Sequence, residues 1–370
     1  MLLLLIFSLL LQLTHADPRL CVDNGPKLTA SDFTLKEKDN THLAGLAKTL
    51  ASAKATVSEV LDSANRDIIT GPVPGEPSEE WLWDNGDYNT TKWIPQGISS
   101  SGDALAVGTY EGRNVWLVSW YQDEGDKNVR ISFIDRETHK YRHVLLVEPT
   151  ADDDFKSVPI HAGGIAWYGN ALYVVDTDNG FRVFDMDNIF EVDIADGVGK
   201  NGDGWSANTY RFVLPQIRSY SWSDLQPDSA FRHSWVALDR LDSPDTMLVG
   251  EYQPDDAKVP IRLVKYPLDY TTRRLRNTGG VVTATWAYCV NVLRMQGGFS
   301  RNDTFYLGRS NGDTNGGDLF TWSPGETNVP MSFFPPGNED MSYNEAKGEW
   351  YTITEHADQR YILAYKEEIN

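Results

Sequence analysis

Residues 158–186 read VPIHAGGIAWYGNALYVVDTDNGFRVFDM. A histidine and two glycines precede three short apolar runs, with turn residues between the runs. Short runs rich in Val, Ile, Tyr, Phe and Trp, bounded by Gly, Asn and Asp, are the pattern of β-strands. The stretch reads as strand A at 164–167, strand B from Ala171 to Asp176 and strand C from Phe181 to Asp185. A Gly- and Asp-rich insertion at 192–208 leads to a strand D, YRFVLPQ, at 210–216.

The same order recurs. QGISSSGDALAVGTY (96–110) supplies strands A and B, followed by VRISFID and YRHVLLVEP. HSWVALDRLDSPDTMLVGEY (233–252) supplies them again, followed by IRLVKYP. QGGFSRNDTFYLGRS (296–310) is followed by DLFTW and VPMSFFPP, and EDMSYNEAKGEWYTITE (339–355) by RYILAYK. The apolar centres Ile98, Ile165, Val236, Phe299 and Met341 lie 67, 71, 63 and 42 residues apart, so insertions are long and uneven. Five A–B–C–D units spell an all-β fold, a five-bladed β-propeller; splitting one long unit gives a six-bladed alternative. The last unit has no strand D of its own. TKWIPQ (91–96), just before the first A strand, is expected to fill that place and close the ring.

Three segments precede or make up this architecture. Residues 1–16, MLLLLIFSLLLQLTHA, are apolar and end on a small residue, as a cleaved signal peptide does. Residues 17–80 form an N-terminal helical segment and linker. Leu43, Leu46, Leu50, Val57 and Leu61 recur at helical spacings within 39–66, and GPVPGEP (71–77) ends any helix. Residues 81–370 are the propeller domain.

In a propeller blade strand A is innermost. The D–A connection and the B–C turn then share one face, the top. Five polar residues stand at the A-strand entrances: Gln96, His161, His233, Gln296 and Glu339. All of them can donate or accept hydrogen bonds, so they are expected to ring the channel mouth. The B–C turns are read as YEGRN (110–114), DTDNG (176–180), EYQPDDAK (251–258), SNGDTNGGD (310–318) and TEHADQ (354–359). They bring Glu111, Asp176, Asp178, Glu251, Asp313, Asp318, Glu355 and His356 to the same mouth, with Arg113, Arg182 and Arg309 nearby. His161, His233, Glu339 and Asp176 are the candidate catalytic groups. Gln96, Gln296, Asp178, Glu251, Asp313, Arg309 and His356 are the candidate ligand contacts. Each has a plainer role: Asp and Asn before Gly make turns, and a His or Gln at a strand start satisfies backbone groups.

The net charge is −20, the reverse of a nucleic-acid-binding footprint. No apolar run after the leader is long enough for a membrane span. Two sequons, at Asn89 and Asn302, fit export. Cys21 and Cys289 are the only cysteines, and in an oxidising compartment they are expected to pair. The chain is thus expected to be a secreted, extracellular, monomeric glycoprotein. DTDNG and DMDN lack EF-hand spacing, and neither HExxH nor GxSxG occurs. No organic cofactor is indicated. A divalent cation such as calcium would suit the channel, held by His161 or His233 with carboxylates.

HAGGIAWYGNALYVVDTDNGFRVFDM and KYRHVLLVEP resemble secreted β-propeller proteins of fungi and actinobacteria, and LYVVDTDNGFRVF resembles the NHL type of repeat. The resemblance implies the fold over 81–370 and carries no catalytic residues. Twelve tryptophans, with Trp205 and Trp222 in or near insertions, suggest aromatic planes for sugar rings beside acids and amides. The expected partner is an extracellular glycan or other small molecule. Two kinds of chemistry fit: a glycoside hydrolase using two carboxyl groups, or a uronate lyase with His161, His233 or a Tyr as base and an Arg or a cation neutralising the sugar acid. A non-catalytic glycan- or protein-binding propeller is the alternative.

Overall fold

The computed structural model describes residues 27–73, 76–124, 127–222, 231–254, 261–290, 292–324, 326–327 and 330–366. The expected leader at 1–16 and Cys21 lie outside them. The chain is all-β, with a few short helices.

Five antiparallel four-stranded units follow one another. The first is Trp93–Ser100, Val115–Gln122, Val129–Asp135 and Lys140–Ala151. The second is Ile165–Tyr168, Ala171–Asp176, Gly180–Asp185 and Phe212–Trp222. The third is His233–Asp239, Thr246–Glu251, Ile261–Pro267 and Trp286–Val290. The fourth is Met295–Arg301, Thr304–Arg309, Gly317–Ser323 and Met331–Phe334. The fifth is Asn338–Asn344, Glu349–Thr354, Tyr361–Lys366 and, from far upstream, Glu79–Leu82. The first strands of the five units pack on one another in a closed cycle.

Glycine lets those inner strands approach. A Cβ on Gly164 would lie 2.7 Å from Trp235 Cα, and one on Gly97 would lie 2.8 Å from the Ile165 nitrogen. Between units, apolar faces interlock. Trp116 meets Tyr351 edge-on at 5.4 Å, joining the first unit to the fifth. Trp116, Trp120, Trp167, Trp235 and Trp350 are all fully buried. Each such side chain contributes at least about 1.5–3 kcal/mol of transfer free energy.

Two features depart from separate, equal units. The outer strands Lys140–Ala151 and Phe212–Trp222 pair in parallel, Leu145 opposite Val213, so the first two units share one sheet. The N-terminal segment also runs along the rim. Leu28 N–H donates to the Ala287 carbonyl at 3.0 Å. Thr34–Asp39 adds to Phe212–Trp222 on one side and Val281–Thr283 on the other. Lys54–Ala55 pairs with Ile189–Glu191, and Arg66–Asp67 with Tyr141 and Lys140.

Three expectations need correction. The ring-closing strand is Glu79–Leu82, with Trp81 opposite Ile362, and not TKWIPQ. Most of TKWIPQ belongs to the first inner strand, where Trp93 pairs with Gln122. In the first unit, strand B is Val115–Gln122, and residues 104–110 are not a strand. Ser100 instead caps a helical turn, Ser101–Ala104, through a reciprocal bond with Asp103. YEGRN therefore lies in the A–B connection, at the opposite end from the B–C turns. Glu111 there accepts Ser58 N–H at 2.8 Å, and Arg113 pairs with Asp62 and Asp135.

The helix expected over 39–66 is two short ones, Leu43–Thr49 and Val57–Asp62. The five apolar residues of its stripe are buried as the spacing implied.

Candidate functional site

Polar side chains from all five units meet at the entrances of the inner strands. Ser234 Oγ, in the third unit, donates to Gln296 Oε1 at 3.3 Å. Gln296 Nε2, in the fourth, donates to Glu339 Oε1 at 3.0 Å. Glu339, in the fifth, shares a hydrogen bond with Glu355, which follows the second strand of the same unit. Gln96 Nε2, in the first, donates to Glu355 Oε2 at 2.9 Å. Tyr121, next to last in the second strand of the first unit, senses both glutamates, and the His161 ring of the second unit lies 4.2 Å from its ring.

The electrostatics follow from this crowding. Burial, then the Glu355 charge, pushes the Glu339 carboxyl well above the usual carboxylate range. Two acids that share one hydrogen bond cannot both ionise cheaply, so one holds a proton. Burial, followed by Glu355, Asp123 and Glu339, pushes the Tyr121 phenol up. The cleft walls strip water from the exposed His161 ring and Arg232 lies near, so His161 is lowered from its ordinary value. Arg360 Nε donates to the Glu355 carbonyl at 2.7 Å and fixes that residue's backbone.

A cleft of ≈ 440 Å³ opens beside His161. Tyr121, Gln122, Asp123 and Lys127 line one side, and Asp176, Thr177, Asp178, Asn179 and Arg182 the other. Here the turn reading of Asp176 holds: it accepts from Arg182 Nε at 2.9 Å and Asn179 Nδ2 at 3.0 Å. Asp178 is exposed.

The sequence thus placed Gln96, His161, Gln296 and Glu339 around one mouth, and Asp176 and Asp178 beside it. His233 does not join them. It is fully buried among Phe231 (4.8 Å), Phe181 (5.4 Å) and Trp222 (6.0 Å), and burial lowers it to about 3. Glu251 is fully buried in a two-pronged ion pair with Arg262, 2.6 Å on each prong, and so is structural. Arg309 is held by Asp318 at 2.9 and 2.5 Å. Asp313 lies exposed in its turn, and its carbonyl accepts from Gln359. His356 Nε2 stands 3.9 Å from Glu355 Oε1, at the edge of the mouth.

Trp205 and Trp222 are both half-buried and already engaged by neighbours. Trp205 Nε1 donates to the Asp153 carbonyl at 2.8 Å, and Trp222 packs on Phe231 at 5.8 Å. Tyr121, Ser234 and Arg360 escaped sequence reasoning. Tyr121 was hidden because the second strand of its unit was placed too early.

Among the described residues no group of three or more His, Cys, Asp or Glu side chains is arranged to hold a metal ion. No helix there is long and apolar enough to cross a membrane. Asn89 and Asn302 are exposed. Cys289 is buried on Trp286–Val290.

No protein-family description matches the chain, and no curated protein does. Solved structures with a distant likeness include a GH43_1 enzyme from Xanthomonas citri. Its complexes with xylotriose and with xylose each give a TM-score of 0.38 at 11% identity, covering 87% of this chain and 92% of theirs. The enzyme alone gives 0.38 at 10%, covering 84% and 92%. A likeness this weak carries no argument about this chain, whose fold stands on its own strand pairing.

Proposed function

We propose that this chain is a secreted five-bladed β-propeller that engages a glycan at its top face. The observation that carries the reading is the Glu339–Glu355 pair, held by Gln96 and Gln296 beside the cleft of His161 and Tyr121. Carboxyl, amide and hydroxyl groups around one aromatic face suit a sugar, whose hydroxyls need both donors and acceptors. Binding is the first reading. The two glutamates share a hydrogen bond, which is closer than the roughly 5–9.5 Å that two-carboxylate hydrolysis uses.

Hydrolysis is the second reading, favoured by the protonated Glu339, which could act as a general acid. Lyase chemistry is less well served, since Arg182 and Arg309 are tied to Asp176 and Asp318.

Export belongs to the same proposal: a leader at 1–16, glycans on Asn89 and Asn302, and a Cys21–Cys289 disulfide. The pairing of Lys27 with Tyr288 carries the N-terminal segment past Cys289 and supports that bridge. The resemblance to secreted propellers of fungi and actinobacteria points the same way.

A glycan array with mass analysis of products tests the reading. Binding without products supports recognition alone, and products that have gained water support hydrolysis. His161→Ala is expected to melt normally and lose glycan binding. If His161→Ala and Glu339→Gln both bind every ligand as the parent does, the top face is not the site.

A further inference from the structure

The rim of the first two units carries a pocket of ≈ 140 Å³ that shares no lining residue with the cleft at His161. Arg66, Arg142 and Arg211 line it, together with Asn65, His143 and Tyr210. Their convergence follows from the fold. Arg142 lies on Lys140–Ala151, Arg211 directly precedes the strand that pairs with it in parallel, and Arg66 pairs opposite Tyr141.

The local charge is unbalanced. Arg66 pairs with Asp87 at 3.1 Å, and Arg211 with Glu191 at 2.8 Å. Asp87 is shared, since Arg130 also takes it, at 2.6 Å. Arg142 has no carboxylate within ion-pair distance among the described residues. Its Nη1 donates to the Ser63 carbonyl at 3.2 Å, and its plane lies over Phe212 at 5.9 Å. Four guanidinium groups, of Arg66, Arg130, Arg142 and Arg211, thus face two carboxylates, of Asp87 and Glu191. Burial, then Arg211 and Arg66, makes Arg142 a weaker base than usual, as crowding of like charge requires. The whole chain carries −20, so this cationic excess is a local construction. The lip is strained as well: Asn208 and Thr209 both have positive φ, 46° and 68°, and a β-branched residue rarely adopts that conformation.

We propose that this pocket is a binding site for a single tetrahedral oxyanion, a sulfate or phosphate group. Guanidinium forks match such oxygens in pairs. The volume equals that of about four to five waters at roughly 30 Å³ each, enough for one such group and too small for a sugar ring beside it. The anion is either a free ion or an ester projecting inward from a larger glycan. The site is independent of the top-face reading.

The test is calorimetric titration of the full chain with sodium sulfate, sodium phosphate and a monosulfated disaccharide, at ionic strength matched with chloride. Saturable binding that weakens at least tenfold in Arg142→Gln is the expected result. Equal affinity for sulfate and the disaccharide assigns the free ion, and tighter binding of the disaccharide assigns the ester. Arg211→Gln, just before the other strand and more accessible, repeats the test should Arg142→Gln melt early. Absence of saturable binding by all three probes, or unchanged affinity in a folded variant, overturns the proposal.

Discussion

Asp340 Oδ2 accepts the backbone N–H of Ile165 at 3.0 Å, across 175 residues of chain. The same oxygen takes the Ile98 N–H at 3.1 Å. One fully buried carboxyl group therefore ties the inner strands of the first, second and fifth units together at the axis. Asp340→Ala leaves both donors buried without a partner, at about 1–3 kcal/mol each. We expect a loss of roughly 2–5 kcal/mol in urea unfolding, with Asp340→Asn milder because it keeps an acceptor oxygen. An Ala variant as stable as the parent would show that water replaces the carboxyl group.

Glu339 sets a stability slope with pH. Its folded pKa is raised, so the native state binds a proton that the unfolded chain has released. The contribution is complete below the ordinary glutamate value and is lost as pH rises through the raised one. Glu339→Gln keeps the acceptor for Gln296 and does not titrate. Thermal melts across pH should show the parent falling as pH rises through that window, with the variant flat there. Parallel curves would contradict the shared proton.

His233 gives the opposite slope. Its folded pKa is depressed from 6.5 to about 3, so its contribution is full above 6.5 and drains as pH falls toward 3. Between pH 6.5 and 5 the loss is about 2 kcal/mol at 1.36 kcal/mol per pH unit. His233→Phe fills the same aromatic cage without a charge to acquire. Its melting temperature should hold between pH 7 and 5 while that of the parent drops. A variant that loses stability as fast as the parent would move the acid-sensitive group elsewhere.

The closing strand should matter to the whole ring. Deleting residues 79–82 exposes the edge of Tyr361–Lys366 and removes the half-buried Trp81 side chain that packs there. We expect one cooperative calorimetric transition, shifted downward, and not a separate early transition of the last unit alone. A melt unchanged in midpoint and enthalpy would mean that the ring needs no such closure.

Much of the architecture was legible because strand patterning is local. Ala171–Asp176 was read to the residue, since Gly169-Asn170 and DTDNG punctuate it on both sides. What failed was set by distant partners. Glu79–Leu82 is short and acidic, as rim strands often are, and only its pairing with Tyr361–Lys366 makes it a strand. ALAVGTY looked like a strand by composition, yet the Ser100–Asp103 cap and Gly108, with φ of 86°, commit it to a turn.

Residues 51–55 lie in an alanine-rich stretch that favours helix, but pairing of Lys54–Ala55 with Ile189–Glu191 overrides the propensity. At the site, the entrance rule found Gln96, His161, Gln296 and Glu339. It failed for His233 because that ring is packed among Phe181, Trp222 and Phe231, and the residue stands opposite Glu251 in the sheet.

The rim path of the N-terminal segment also bears on how the chain is made. Leu82 emerges from the ribosome 279 residues before its partner Tyr361. At about 5–20 residues per second, that is roughly 15–55 seconds before this pairing can form. Every early rim pairing, from Leu28 with Ala287 to Trp81 with Ile362, must wait in the same way. The sheet of the last unit therefore cannot be completed until Tyr361–Lys366 has been made, however early Glu79–Leu82 appears.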